Sequence, residues 1–483
     1  MIGYSIKHLI IKEKTTVIKV NGNDQTNDQS KDQTVNVPCF SWVLGSQSPR
    51  RKTLLKYLGV PFDSLPANID ESIKATEKPS VYALRMAEEK ALKVAEKLAQ
   101  QELKNSMAKP TLIIGGDTVV ALGEKVLGKP LSESEALATL TELAGQEHQV
   151  WSAWAVVQFM HGQEPIILTS GVSKSTVNMR ELTKDEIIEY IASGEPMDKA
   201  GSYGIQGQGG RFVSRVEGSF FSVIGLPMLD LYTALVEKGL IFDQTGFIKR
   251  GIELRERVAF AAWRSGRSVD AVNVLAVSKF HSLESIKQAY MCDFEHFGES
   301  YVQELLNKHD ELKQYQQQLG PADRSNYEPV WHYIGGIQTN KAKRIGENSH
   351  WVHGLSRFSE AQKLAQGAQA SGNSIQAFIQ VNLAKEKSKS GLDEIELRSL
   401  LEACEKLNGL KVVGLMTFPP LDEPENNRKY FRVLRTLRDQ LESEGYHLPH
   451  LSMGTSDDFE VAIEEGSTWV RLGRSLFGER PQA

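Results

Sequence analysis

The sequence predicts an α/β chain of two folding units, an N-terminal α/β domain with a mixed sheet and a C-terminal (β/α)8 barrel. Three observations carry this. Before residue 240, short apolar strands feed polar, glycine-bearing loops and amphipathic helices, and two long alternating stretches, Gln149 to Phe159 and Ser170 to Met179, read as strands. After Gly251, eight short β-rich runs alternate with helical patterns. Between them, the stretch Leu240-Ile-Phe-Asp-Gln-Thr-Gly-Phe-Ile-Lys-Arg-Gly251 separates two sets of chemical motifs with nothing in common.

Composition allows this division. At roughly 100–200 residues per domain, 483 residues make two to four units. A net charge of −5 leaves no basic footprint and argues against a nucleic-acid polymer as partner. Cys39, Cys292 and Cys404 are widely spaced and form neither a metal-type nor a redox-type pair, which fits a reducing compartment. No apolar run reaches membrane-spanning length, and the first residues lack a signal-peptide pattern, so a cytoplasmic protein is expected. Residues 1–38 read as an extension with a flexible tether, because Asn21 to Asn36 is almost wholly polar and cannot bury enough apolar area to offset its ordering entropy.

The N-terminal domain, residues 40–238, opens with the apolar strand Phe40 to Leu44, which runs into Gly45-Ser-Gln-Ser-Pro-Arg-Arg51. A helix follows, with Leu54, Leu55 and Leu58 on one face and Gly59 as its stop. Strand, polar loop and helix N-terminus make an anion site, to which Ser46, Ser48, Arg50 and Arg51 add hydroxyls and guanidinium forks. Taken alone, Ser-Pro-Arg-Arg fits a surface turn with two solvated arginines better. The run Thr111-Leu-Ile-Ile-Gly-Gly-Asp117-Thr118 then delivers a carboxylate at a strand tip, where it can hold a divalent ion, take a proton from water, or merely cap a turn. Next come Gly128-Lys129-Pro130 and helices at Glu133–Leu143, Lys184–Ser193 and Leu229–Lys238. Between the last two, the glycine-dense loop Asp198-Lys-Ala-Gly-Ser-Tyr-Gly-Ile-Gln206-Gly-Gln-Gly-Gly210 is poor core material and reads as a ligand cradle.

In order, Gly-Ser-Gln-Ser-Pro-Arg-Arg, Gly-Asp-Thr-Val-Val, Gly-Lys-Pro, Asp-Lys-Ala-Gly-Ser-Tyr-Gly-Ile-Gln and Gly225-Leu-Pro227 resemble the Maf family of nucleoside triphosphate pyrophosphatases, over about Ser41 to Leu235. The resemblance implies that Asp117 is the proton acceptor and that Arg50, Thr118 and Gln206 set base selectivity, in the dTTP/UTP pattern rather than the 7-methyl-GTP one. It implies hydrolysis between the α- and β-phosphates, possible use of modified pyrimidine nucleotides included, to a monophosphate and pyrophosphate. Ser46, Ser48, Arg51, Lys90, Lys129 and Lys199 are the expected phosphate contacts, with Asp117 holding a Mg2+ or Mn2+ ion. A homodimer through this domain is also implied. Gly45 stands where the family usually has alanine.

Residues 239–250 read as a linker, less tether-like than a Gly/Ser segment because of Phe242, Phe247 and Ile248, and an amphipathic helix is expected from Ile252 to Trp263. The barrel, residues 251–483, takes its strands from Val272–Ser278, Phe294–Phe297, Trp331–Ile334, Trp351–His353, Gln376–Val381, Lys411–Met416, Leu448–Ser452 and Trp469–Leu472. In such a fold the chemistry belongs at the C-terminal strand ends, with phosphate contacts after strands seven and eight. Lys279 follows the first strand, Asn382 the fifth, Ser452-Met-Gly-Thr-Ser456 the seventh, and Arg471-Leu-Gly-Arg474 closes the eighth. Alone, Lys279 fits a structural ion pair better; opposite phosphate loops, pyridoxal phosphate explains it better.

The motifs Ala276-Val-Ser-Lys279, Phe297-Gly-Glu-Ser-Tyr-Val-Gln-Glu304, Trp331-His-Tyr-Ile-Gly, Gln338-Thr-Asn-Lys341, Lys389-Ser-Gly391, Ser452-Met-Gly-Thr-Ser-Asp-Asp458 and Phe477-Gly478 resemble the YggS-like pyridoxal phosphate homeostasis family, over roughly Gly251 to Arg480, on an alanine-racemase-like barrel. The resemblance implies that Lys279 bonds the cofactor's aldehyde, that Ser452, Gly454, Ser456, Gly473 and Arg474 surround its phosphate, and that Arg471 faces the pyridine nitrogen. Ser300 replaces the asparagine usual after Phe-Gly-Glu, which puts any contact of that side chain in doubt. The chain ends at Ala483, soon after the eighth strand, with no further domain in view to supply a second acid/base. A non-catalytic cofactor carrier is therefore expected over an amino-acid racemase.

Overall fold

The computed structural model describes residues 16–18, 35–37, 40–101, 109–319, 328–384 and 391–479. The expected extension 1–38 lies outside the described residues except for Thr16–Ile18 (β1) and Val35–Val37 (β2), which pair antiparallel.

The N-terminal half is built on a seven-stranded mixed sheet. Its strands are Ser41–Leu44 (β3), Asp63–Ser64 (β4), Thr111–Leu122 (β5), Lys125–Leu127 (β6), Glu147–Phe159 (β7), Ile166–Met179 (β8) and Val213–Glu217 (β9). β3 pairs in parallel with β4 and β5, whereas β5, β7, β8 and β9 pair antiparallel in succession. The helices are Pro49–Lys56 (α1), Pro79–Gln101 (α2), Glu133–Leu143 (α3), Lys184–Ala192 (α4), Phe220–Ile224 (α5) and Met228–Glu237 (α6). Pro49 begins α1 and Ser48 caps it, as the loop-to-helix reading requires. Gly115 lets α2 cross β5 closely, since a Cβ there would lie 2.1 Å from the Ala87 carbonyl oxygen.

The C-terminal half is a closed eight-stranded parallel barrel. Its strands are Asn273–Val277 (β10), His296–Glu299 (β11), Val330–Tyr333 (β12), Trp351–Leu355 (β13), Ile375–Gln380 (β14), Leu410–Met416 (β15), His450–Ser452 (β16) and Trp469–Leu472 (β17). Each expected run supplies one. Phe247–Arg264 (α7) precedes the barrel, and Leu283–Met291 (α8), Val302–Gln318 (α9), Thr339–Asn348 (α10), Phe358–Ala370 (α11), Glu394–Cys404 (α12), Pro424–Ser443 (α13), Phe459–Glu464 (α14) and Arg474–Phe477 (α15) surround it.

Helix α7 starts before the expected Ile252, at Phe247, inside the stretch that reads as a linker. It is a shared wall. On one side Trp263 donates its indole N–H to the Gly210 carbonyl (3.3 Å), and Glu256 accepts from Ser219 Oγ (2.6 Å) and Phe221 N–H (2.9 Å). On the other, Arg250 donates to the Leu476 and Phe477 carbonyls at 2.9 and 3.2 Å. Arg255 lies between the rings of Tyr57 and Phe294, 4.3 and 3.6 Å from their centroids. One hydrophobic cluster consequently runs through α7 from one half to the other, with Phe247 and Ile248 buried in it and Phe242 left outside.

Candidate functional sites

The first site is a cavity of about 1350 Å³ at the C-terminal end of β3 and the middle of β5. It brings together Ser46, Ser48, Arg50, Arg51, Lys90, Asp117, Thr118, Lys129 and Lys199, which the chain delivers from five separate segments. Gln206 is not among its walls; the neighbouring Ile205 and Tyr203 are.

Several of these groups already hold partners. Lys90 Nζ donates to Asp117 Oδ1 and lies 2.7 Å from both that atom and Glu71 Oε1. Arg51 spends its fork inside the protein, Nε to the Gly225 carbonyl (2.9 Å), Nη1 to Ser46 Oγ (3.4 Å) and Nη2 to Thr118 Oγ1 (3.2 Å). The Thr118 hydroxyl also meets Ser152 Oγ at 2.9 Å. Arg51 and Thr118, expected at phosphate and base, thus tie the Gly225 turn to the cavity floor. Lys199 pairs with Asp198. Arg50 faces Asp198 and Glu195, while burial pulls its pKa below the usual arginine range. Lys129 is exposed at the rim.

Two contributors escaped the sequence reading. Glu71 sits on a loop between β4 and α2, in Asn68-Ile-Asp-Glu, and only its place in a connecting segment signals function. Glu195 organises the glycine-dense loop, accepting from Tyr190 Oη (2.9 Å), Gln208 N–H (2.9 Å) and Gly209 N–H (3.1 Å). A Cβ at Gly207 would lie 2.4 Å from Glu195 Oε2, so a larger residue there would push this carboxylate aside.

A divalent cation is implied by the resemblance. Among the described residues no group of three or more His, Cys, Asp or Glu is placed to hold one. The carboxylates of Asp117 and Glu71, converging on Lys90, are nevertheless hard oxygen donors of the kind Mg2+ uses when substrate oxygens and water complete its shell. That donor set fits a cation brought in with a polyphosphate.

The second site is a cavity of about 710 Å³ at the C-terminal face of the barrel. Lys279, Ser456, Arg471, Gly473 and Arg474 line it, with His281, Ile334, Phe418, Thr455 and Asp457. Three expected contacts are placed elsewhere. Ser452 is fully buried beneath the cavity, where its oxygen meets Arg471 Nη1 (2.7 Å) and His353 Nδ1 (2.8 Å). Gly454 packs under Phe459 and Ala462, and its carbonyl accepts the Arg471 N–H at 3.1 Å. Asn382 follows β14 with its N–H on the Leu392 carbonyl (3.1 Å), and Lys389 and Ser390 of the expected motif lie outside the described residues.

Arg471 is anchored from the other side as well, Nη1 to the Ser452 carbonyl (2.7 Å) and Nη2 to the Thr417 carbonyl (3.0 Å). Burial lowers its pKa to about 10. Below it a file of side chains crosses the barrel interior, the buried Ser452, His353 and His332 and the half-buried His296, with ring-nitrogen contacts of 2.9 Å and 3.0 Å between successive histidines. With Arg471 donating to its oxygen, the Ser452 hydroxyl has its own proton to give to His353 Nδ1, and in that tautomer each Nε2–H donates to the next ring. The sequence shows three separate histidines and no hint of this file.

Pyridoxal phosphate passes the same kind of test. Arg471 Nε is a buried donor with no hydrogen-bond partner among the described residues, on a side chain that lines the cavity. With Lys279 and the Ser456 hydroxyl on the same walls, the residues fit an anionic ring aldehyde.

Fold and cavities thus define a two-site α/β chain, an anion cavity on a mixed sheet joined to a lysine-bearing barrel. Comparison with known proteins agrees half by half. A family profile described as Maf-like protein matches residues 41–238, and one described as alanine racemase, N-terminal domain, matches residues 257–481. A dTTP/UTP pyrophosphatase of Aquifex aeolicus is 41% identical over 199 residues, covering 41% of this chain and 96% of that protein. A pyridoxal phosphate homeostasis protein of the same organism is 41% identical over 227 residues, covering 47% of this chain and 94% of its own. A second such protein, from Vibrio alginolyticus, is 37% identical over 235 residues, covering 48% and 97%. The chain belongs to the Maf-like family through its N-terminal half and to the pyridoxal phosphate homeostasis proteins through its C-terminal half.

Proposed function

We propose that the N-terminal half hydrolyses dTTP and UTP to the nucleoside monophosphate and pyrophosphate, and that the C-terminal half binds pyridoxal phosphate through Lys279 as a carrier. The observation that carries the first reading is the gathering of Arg50, Lys90, Lys129, Lys199 and Asp117 on the walls of one open cavity. These cations hold the polyphosphate and offset the charge that grows on it as the anhydride breaks. A phosphate drawing Lys90 toward itself leaves the Asp117 carboxylate free to take a proton from water. A divalent cation, held by Asp117 and Glu71, would supply electrostatic activation of that water and of the phosphates.

In the barrel, Lys279 bonds the cofactor, Ser456 and the backbone at Gly473 receive its phosphate, and Arg471 faces its ring nitrogen. Bound cofactor supplies an electron-accepting ring. A fixed cation at the nitrogen keeps that ring unprotonated and a weak electron sink, which favours storage over amino-acid turnover. Both families' members are expected in the cytoplasm, and no helix among the described residues is long and apolar enough to cross a membrane.

The test is a nucleotide panel with pyrophosphate detection on the intact chain, with and without pyridoxal phosphate. Release from dTTP and UTP that disappears in Asp117→Asn supports the assignment, and near-normal turnover in that variant removes it. Visible absorbance of the bound cofactor should be lost in Lys279→Ala. Rapid exchange of an amino acid's α-proton in deuterated water would replace the carrier with a racemase.

A further inference from the structure

Lys279 stands on an unusual turn. Ser278, Lys279, Phe280 and His281 form a tight reversal closed by His281 N–H donating to the Ser278 carbonyl at 3.0 Å. The third residue, Phe280, has φ +67°. Turns with a positive φ at that position ordinarily carry glycine or asparagine, and a bulky side chain there is strained. The turn therefore needs outside support.

That support comes from three charged residues outside the cavity wall. Glu304 Oε1 accepts the Phe280 N–H at 2.7 Å, just after Lys279. Lys308, one turn further along α9, donates to the Ser278 carbonyl at 2.8 Å, just before Lys279. The same ammonium binds Glu304 Oε1 (2.6 Å) and Glu299 Oε1 (2.9 Å), and Glu299 in turn accepts from the Ser278 hydroxyl at 2.6 Å. Both backbone flanks of Lys279 are thus held by one cluster. Glu299 is fully buried at the end of β11, and Lys308 is nearly so. Burying two such groups is costly, and the same turn could be had with a glycine at position 280, so the cluster needs a reason beyond folding.

We infer that Glu299, Glu304 and Lys308 are positioning residues that hold the strained turn from Ser278 to His281, so that the Lys279 amine is aimed into the cavity for an aldehyde ligand. This rests on the reading that Lys279 bonds pyridoxal phosphate, and it adds why a phenylalanine can occupy a left-handed position beside it. The cluster touches the backbone on either side of Lys279 and leaves the ligand itself to the cavity walls.

The experiment titrates the intact chain with pyridoxal phosphate, following visible absorbance and, after borohydride reduction, the mass and site of the attached cofactor. Lys308→Met and Glu304→Ala should each weaken binding about tenfold or more, by misaiming the amine. Glu304 is partly exposed, so its variant tests the turn even where Lys308→Met fails to fold. Phe280→Gly added to Glu304→Ala should restore most of the affinity, because glycine adopts the turn unaided. A purely structural role for the cluster would leave that defect unrescued, and this outcome, or wild-type binding in both single variants, overturns the inference. Equal labelling in Lys279→Ala would instead overturn the underlying assignment of Lys279.

Discussion

In the nucleotide cavity the charged groups come from two helices, the middle of a strand and the loops between them, and they pair with one another, Lys90 with Asp117 and Glu71, and Lys199 with Asp198. In the barrel cavity they stand at strand ends and are tied to backbone carbonyls and a buried file of side chains, as Arg471 is to Ser452, Thr417 and the histidines beneath. The first arrangement can exchange its internal partners for a substrate's phosphates with little loss elsewhere. The second cannot be altered without disturbing the interior of the fold. Substitutions in the first cavity should accordingly cost turnover, and those in the second should cost stability along with binding.

Acid should separate the halves most strongly. Burial holds His332 and His353 well below the usual imidazole pKa of 6.5 and brings His296 to about 4. Unfolded, all three take up protons near 6.5, whereas folded they stay neutral, so their contribution is full above 6.5 and is lost as pH falls below it. Each contributes up to ~1.4 kcal/mol per pH unit over that window. Glu299, pushed up to about 7 by burial, acts in the opposite sense, but it is one carboxyl against three imidazoles. In the N-terminal half, His148 alone is similarly depressed among the described residues, to about 4. Urea unfolding followed by the fluorescence of Trp331, Trp351 and Trp469 should show the barrel losing stability as pH falls from about 6.5 to about 5, faster than pyrophosphatase activity declines through unfolding. Equal losses would mean that the shared helix α7 makes the halves one cooperative unit.

Lys90→Met comes next. Removing the ammonium leaves two carboxylates facing each other at the phosphate site, and loss of a preorganised cation costs about 10²–10³-fold in turnover. The thermal midpoint should move little, because the ion pairs of Lys90 among the described residues are with Asp117 and Glu71, both on the cavity wall. A large drop in midpoint with turnover retained would reverse the contrast between the sites.

Arg471→Met should do the opposite. It leaves the Thr417 carbonyl without its Arg471 donor and takes one of two partners from both the Ser452 carbonyl and the Ser452 hydroxyl, at about 2–3 kcal/mol in total. Denaturant unfolding would register this in the absence of any cofactor.

The fold was legible because its signals are local. Helix Glu133–Leu143 has its Ser132 cap and apolar period in adjacent residues, and each barrel strand is a short β-rich run bounded by polar residues. The cavity residues were legible where they fell within contiguous motifs. What the sequence hides is who spends which hydrogen bond. Arg51 reads as a phosphate fork, yet its Nε partner is a carbonyl 174 residues away. Glu71, Glu195 and Lys308 stand in no motif that the sequence singles out, Glu304 only closes one, and their roles exist only once distant groups arrive beside them. The sequence hides the start of α7 because Gly246, Phe247 and Ile248 look like a connecting segment until the Phe247 side chain finds its place against Phe294 and Phe477.

The smallest effect separates geometry from charge within the nucleotide cavity itself. Glu195 accepts three hydrogen bonds that fold the loop from Tyr203 to Gly210 around it, but it does not line the cavity. Glu195→Gln keeps the size and one acceptor while turning an N–H2 group toward a backbone N–H, which costs about 1–2 kcal/mol locally. The loop carries Tyr203 and Ile205 into the cavity, so the loss should appear in substrate binding. KM for dTTP should rise several-fold, about the equivalent of 1 kcal/mol, with kcat nearly unchanged. Because these hydrogen bonds of Glu195 all stay within the N-terminal half, pyridoxal phosphate binding should not move. A fall in kcat instead would place the loop against the reacting phosphates, and the first cavity would then be as rigidly specified as the second.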